Sequence, residues 1–151
     1  GISLRDPQSW TASDYAYQFS SSKKIDGVKF TIPEQMATGT NLSPDSYVSV
    51  EWLPRATKCV GDIYLKANVK AAPVTDGAVS YSLATSTEGA AGNFYEEWAY
   101  AISGSEPCTA VRYFIHSTNI GNYPAGAARE FDKAALVAEF DKIRKSLLLS
   151  R

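Results

Sequence analysis

One histidine, two cysteines and one methionine are all that 151 residues contain of these types, and each scarcity excludes a chemistry. With a single His no two-histidine zinc signature such as HExxH can be written. One His and two Cys cannot alone close a four-ligand zinc site, so neither a metal nor a cofactor is expected. Any serine–histidine–acid site must use His116, and without a GxSxG motif there is no nucleophile elbow. No apolar run approaches the ~18 residues of a membrane span. Fifteen Lys and Arg oppose sixteen Asp and Glu, a net charge of −1, so the basic excess of a dedicated nucleic-acid binder is missing. Hydrophobic residues at 44% and charged residues at 21% exclude a disordered chain, a coiled coil and a fibrous repeat.

The length fits a single α+β domain over residues 14–151, preceded by an N-terminal arm over 1–13 that Trp10 anchors. The chain begins at Gly1 and its only methionine is Met36. A processed or trimmed start is expected, from a removed signal peptide, a domain boundary or a cleaved tag. Cys59 and Cys108 are either a disulfide, worth ~4 kcal/mol for a loop of this length, or two separate buried thiols. Pairing would place the chain in the periplasm or outside the cell.

Strands are read over 14–19, where large residues alternate with Tyr15, Tyr17 and Phe19 on one face, over 28–32, over 47–53 and 78–85, where they alternate again, and over 94–102 and 109–116. Asp26-Gly27 reads as the hairpin turn between the first two, and Pro33 as the end of the second. Residues 59–65 read as a short helix or a strand, and 66–77 as a connection turning at Asp76-Gly77. Residues 86–93 and 117–126 read as loops. Asp132 caps a last helix with an apolar stripe of Leu136, Phe140, Ile143 and Leu147 and a wet side of Glu139, Lys142 and Lys145. The expected fold is α+β: an antiparallel sheet of about six strands with the C-terminal helix packed on one face.

If residues 103–107 form a tight connection, the last two strands pair in one register. Tyr100 then faces Val111, Trp98 faces Tyr113 and Glu96 faces Ile115 on an apolar face, where the Glu96 carboxylate requires a bulge or an edge position. On the other face Ala99 meets Arg112, Glu97 meets Phe114 and Tyr95 meets His116. Glu97 then lies diagonal to both Arg112 and His116. An acid beside a histidine is the minimal equipment for proton transfer, and Arg112 could hold an anion. The competing reading is an ion-paired, half-exposed sheet face. Tyr123, with Asn119 and Asn122, forms a loop suited to protein or glycan recognition. The stretch Glu88 to Asn93 lacks the spacing of a phosphate loop. Asn41-Leu42-Ser43 matches a glycosylation sequon.

KFTIPEQM (29–36), followed by YVSVEWLP (47–54), is similar to the early strands of PsbP-like proteins, and FDKIRKSLLL (140–149) resembles their terminal helix. The block 108–132 resembles part of an uncharacterised group of exported proteins from alphaproteobacteria. The resemblance implies an antiparallel sheet flanked by helices and no activity. Members of the wider fold bind photosystem subunits or a small nuclear-import GTPase, and no residue set here transfers either role. The function expected is therefore an exported or periplasmic accessory or binding domain, non-catalytic, for a protein or glycan partner, with Tyr95, Arg112, His116 and Tyr123 as candidate ligand contacts. The alternatives are a small hydrolase or isomerase using His116 with Glu97 and Arg112, and an inhibitor inserting the loop 117–124 into an enzyme.

Overall fold

A computed structural model describes residues 2–3, 9–20, 23–146 and 148–149. The strands are β1 (Ile2–Ser3), β2 (Thr11–Ser20), β3 (Lys23–Thr31), β4 (Tyr47–Leu53), β5 (Ala72–Asp76), β6 (Val79–Ala90), β7 (Asn93–Ile102), β8 (Cys108–Thr118) and β9 (Leu148–Leu149), with one α-helix, α1 (Lys133–Lys145). Seven of these strands form an antiparallel sheet in the order β2-β3-β4-β8-β7-β6-β5, and β1 pairs with β9 apart from it. The α+β class is therefore as expected, with one strand more than expected. That strand, β5, lies inside the expected connection 66–77. It is short, carries Pro73 and takes an edge position, where a missing backbone N–H does least harm. Gly77, at φ 62°, makes the turn into β6.

Two other boundaries move. β2 begins at Thr11, so Thr11, Ala12 and Ser13 of the expected arm belong to the sheet. Trp10 packs edge-on against Phe140 with ring centroids 5.8 Å apart. The side chains of Tyr17 and Phe19, and all of Leu147, lie outside the described residues. Asp26-Gly27 is not a turn: both residues lie within β3, Gly27 opposite Tyr15 on one side and Glu51 on the other. A Cβ on Gly27 would come within 2.7 Å of the Val50 carbonyl, 3.0 Å of Glu51 Cγ and 3.1 Å of Tyr15 Cε1. The glycine therefore supplies space: it lets the Tyr15 ring lie across β3 and reach Glu51 on the strand beyond.

One sheet face carries Val48, Val50, Tyr100, Val111, Tyr113 and Ile115 and receives Leu136, Phe140 and Ile143 from α1. Asp132 caps this helix, its Oδ1 accepting from the Ala135 amide at 3.0 Å. Arg144 is buried too, in the last turn, where a cation also suits the helix dipole. Its guanidinium carbon lies 4.3 Å from the Tyr100 ring and 4.9 Å from the Tyr81 ring. Its Nε donates to the Tyr113 hydroxyl at 2.8 Å, and its Nη2 to Asp76 at 2.9 Å. Glu96 is on this face as the register demanded, yet β7 is an interior strand with unbroken pairing from Asn93 to Ala101. Neither a bulge nor an edge relieves the carboxylate. Trp98 Nε1 donates to it at 2.5 Å and Lys133 Nζ at 2.9 Å, at the mouth of α1.

The opposite face is covered over only part of its width. Residues 54–71 form a strap, with a single 3₁₀ turn over Gly61–Tyr64, that lays Tyr64 and Leu65 on Ile25, Leu53, Ala84, Ala99, Ala101 and Ala110. The alanines make a shallow floor, and Gly61 presses its backbone onto it. A Cβ there would meet the Ala99 carbonyl at 2.6 Å and the Ala84 amide nitrogen at 2.7 Å. The Cys59–Cys108 disulfide staples the strap to the start of β8. Asn41, the sequon residue, stitches the loops at the other end. Its Nδ2 donates to Thr118 O at 2.8 Å, and its Oδ1 accepts from the Phe131 amide at 2.9 Å. With the residue 9% exposed, the nitrogen a glycan would need is occupied.

Candidate functional site

Beyond the strap, the described residues leave the second sheet face half covered, and the sequence-derived candidates other than Tyr123 gather there. β7 and β8 pair in the expected register, with Tyr95 opposite His116, Glu97 opposite Phe114 and Ala99 opposite Arg112. Alternation then puts Tyr15, Tyr47, Ser49, Glu51, Tyr95, Glu97, Arg112, Phe114 and His116 on one surface, because all are in phase on β2, β4, β7 and β8.

Arg112 is the hub, and it is 4% exposed. Its Nε donates to Glu51 Oε2 at 2.7 Å, its Nη1 to Glu97 Oε1, and its Nη2 to the Tyr47 hydroxyl at 2.6 Å and the Tyr15 hydroxyl at 3.3 Å. Glu51 has no exposed surface. It also accepts from Ser49 Oγ at 2.7 Å and from the Tyr15 hydroxyl. Every nitrogen of the guanidinium thus has a protein partner, and the anion-holding role imagined for Arg112 would have to displace a carboxylate. Burial, then the Glu51 charge, pushes the Tyr15 phenol far above its usual range. Burial raises Tyr47 as well, with the Arg112 charge pulling the other way. Both phenols stay neutral at ordinary pH, Tyr15 donating to Glu51 and Tyr47 accepting from Arg112, so neither is primed as a base or a nucleophile.

His116 and Glu97 do not meet. Glu97 is drawn to Arg112, and the acid at His116 is Asp45. Nδ1 of the imidazole lies 2.8 Å from Asp45 Oδ1, and Nε2 lies 2.8 Å from Asn93 Oδ1. One ring face stacks on Tyr95, with centroids 4.4 Å apart and planes 22° apart. Both ring nitrogens and a ring face are engaged, which holds the imidazole as a packed member of the surface. Asp45 could not be assigned to it from the sequence, being 71 positions away in a loop, and Asn93, diagonal to His116 in the same register, fell in the expected loop 86–93. Glu51 had a weak signal: a carboxylate in phase with Tyr47 and Leu53 on a seven-residue strand faces the same side as Arg112 only if β4 and β8 are neighbours.

Above this network runs a row of rings. Tyr15 contacts Tyr47 at 6.0 Å, Tyr47 stacks on Phe114 at 4.9 Å, Phe114 lies 5.9 Å from Tyr95, and Tyr95 stacks on His116. All five are half-buried. The Tyr47–Phe114 and Tyr95–His116 contacts are stacked, Tyr15–Tyr47 is edge-on and Phe114–Tyr95 is tilted. Lys29 Nζ stands 5.1 Å from the centre of the Tyr47 ring at one flank. A depression of about 290 Å³ opens beside the row, lined by Tyr15, Tyr47, Tyr64, Lys66, Glu97 and Arg112. Tyr123 is elsewhere, in the loop after β8, its hydroxyl 2.8 Å from Thr118 Oγ1.

Among the described residues, no group of three or more His, Cys, Asp or Glu side chains is arranged to hold a metal ion, and no helix is long and apolar enough to cross a membrane. No family model, curated protein or solved structure matches this chain at a significant level.

Proposed function

We propose that this chain is an exported, non-catalytic binding domain whose protein or glycan partner seats on the ring row over β2, β4, β8 and β7. The observation that carries the reading is the combination of a half-exposed aromatic surface with polar groups that are already saturated beneath it. A catalytic surface keeps a base, a nucleophile or a cation available for the substrate. Here Arg112, Glu51 and His116 are all spent on one another or on their neighbours, and the phenols are pushed away from ionisation. Tyrosine-rich surfaces give large contact area at low entropic loss. Export is supported by the Cys59–Cys108 disulfide, which persists in oxidising compartments. The PsbP-like affiliation belongs to the same proposal and rests on segments 29–36, 47–54 and 140–149.

The test compares the wild type with Tyr95→Ser/Phe114→Ser on a glycan array and in photocrosslinking to envelope proteins. A ligand captured by the wild type and lost by a folded variant is expected. If the wild type instead shows a chemical turnover that Glu97→Ala/His116→Ala abolishes, the non-catalytic reading is wrong and the hydrolase or isomerase takes its place. The inhibitor reading has less support. Loop 117–124 is bonded back onto the body, with Thr118 N on Asn41 O and Asn119 N on Gly92 O, both at 2.9 Å.

A further inference from the structure

At the far end of β4 from the ring row, the strap leaves a second depression, of about 760 Å³, between itself and the start of β3. Leu53 and the Tyr47–Phe114 part of the row lie at opposite ends of β4, ~20 Å apart at ~3.3 Å per residue. Tyr15, bonded to Glu51, is the nearest ring, and the two depressions share no lining residue, so neither reading depends on the other. The volume lies within the ~300–1,000 Å³ of ordinary ligand pockets.

The apolar lining of the depression, its floor, is supplied by Leu53, which is buried, by Ala56 and Ile63, which are half-buried, and by the exposed Pro54. Its rim is cationic. Lys23, Lys24, Arg55 and Lys58 line it against one carboxylate, Asp26. These cations are not equivalent. Lys23 donates to the Ile63 carbonyl and feels the Asp62 charge, and Lys24 stands 3.7 Å from Asp26. Both are partly engaged. Arg55 and Lys58 are exposed, and among the described residues neither is ion-paired with a carboxylate. They lie on the one segment held down by the disulfide, so their backbone positions are fixed relative to the floor. A chain whose net charge is −1 has here gathered uncompensated positive charge around an apolar hollow.

We propose that this depression binds an acidic peptide segment that inserts one apolar side chain between flanking Asp or Glu residues. Three features select that ligand. The cations select negative charge by steering and by rim ion pairs. The apolar floor selects a hydrocarbon side chain, which a sulfated or uronate glycan does not carry. The concavity disfavours a flat anionic membrane, which would touch the rim and leave the floor unfilled.

The experiment titrates the intact, oxidised chain with a fluorescent peptide, acetyl-Glu-Asp-Leu-Glu-Asp-amide, by anisotropy at low and physiological salt. A sulfated tetrasaccharide, phosphatidylglycerol vesicles and the same peptide with Ser for Leu are run beside it. Binding of the Leu peptide is expected, weaker with Ser and weaker as salt screens the rim. Arg55→Gln/Lys58→Gln, at two exposed positions, should weaken it by about 3- to 10-fold with an unchanged circular dichroism spectrum. As a second variant Ala56→Glu places a like charge in the floor and should abolish binding. Tyr95→Ser/Phe114→Ser should leave it intact, which separates failure here from failure of the ring-row reading. Absence of peptide binding, equal binding by the rim variant, or tighter capture of the tetrasaccharide or the vesicles than of the peptide would each overturn the proposal.

Discussion

Arg112→Met tests how the open face is held. The guanidinium reaches Glu51 at 2.7 Å, and Glu51 has no exposed surface. Methionine keeps much of the apolar stem but strands the carboxylate. Removing one partner of a buried pair costs ~3–5 kcal/mol, whereas replacing both by apolar residues is often near neutral. Two features set the position within that range. Ser49 and Tyr15 still donate to Glu51, and Glu97, with 29% of its side chain exposed, can turn to water. The lower half is therefore expected, roughly 3–4 kcal/mol, or about 6–16 °C in Tm at ~2–4 °C per kcal/mol for a chain of this size. Urea unfolding of Arg112→Met, Glu51→Leu and the double variant completes a cycle. The double variant should be more stable than Arg112→Met alone, with a coupling of ~2 kcal/mol or more. A loss below ~1 kcal/mol in Arg112→Met, or additivity of the two single losses, would refute the picture of a coupled buried unit.

Three other predictions address separate parts of the fold. Alkylation without reductant should leave Cys59 and Cys108 unlabelled, and Cys59→Ala/Cys108→Ala should lower stability by ~4 kcal/mol in denaturant unfolding, since the loop closed is of 49 residues. The hydrogen bond from Arg144 holds the Asp76 carboxyl below its ordinary value. A folded-state pKa below the unfolded one gives stability that is complete above ~3.9 and lost as pH falls through the folded value. An NMR titration should find Asp76 depressed, and Arg144→Gln should return it toward normal and flatten the acid limb of the stability profile. Ala91 sits at φ 52° beside Gly92 at φ 81°, in the turn between β6 and β7. Asn tolerates that conformation better than Ala, so Ala91→Asn should raise stability by roughly 0.5–1 kcal/mol in thermal melts.

The sheet was legible where side-chain contrast was strong. Residues 94–102 and 109–116 are rich in large residues, and a tight connection at 103–107 implies one pairing, from which the register and the Glu97–Arg112 diagonal followed. The pattern failed where side chains are small. Ser86 to Ala90 extend β6 beyond the expected end at residue 85, but small residues such as Ser, Gly and Ala carry no periodicity to show it. Asp26-Gly27 failed for another reason: a glycine that permits a turn and one that lets an aromatic ring cross a strand look the same in sequence. Of the site, the cross-strand residues of one hairpin could be placed, because a register is local arithmetic. Glu51 and Asp45 could not, since their roles depend on which strands become neighbours and on where a loop returns. Asn93 continues the same register, opposite Thr118 and diagonal to His116, but fell in the expected loop 86–93.

Asn41 bonds residues 77 and 90 positions further along the chain, and this has a kinetic meaning. The first bond requires β8 to be in place and the second requires the segment before α1 to have come back to Asn41. The two bonds are expected to form late in the folding reaction, a φ-value near zero at Asn41 being the measurement that checks it. An Asn41→Ala chain should refold about as fast as the wild type and unfold faster, so this residue governs how long the native state persists more than how quickly it is reached.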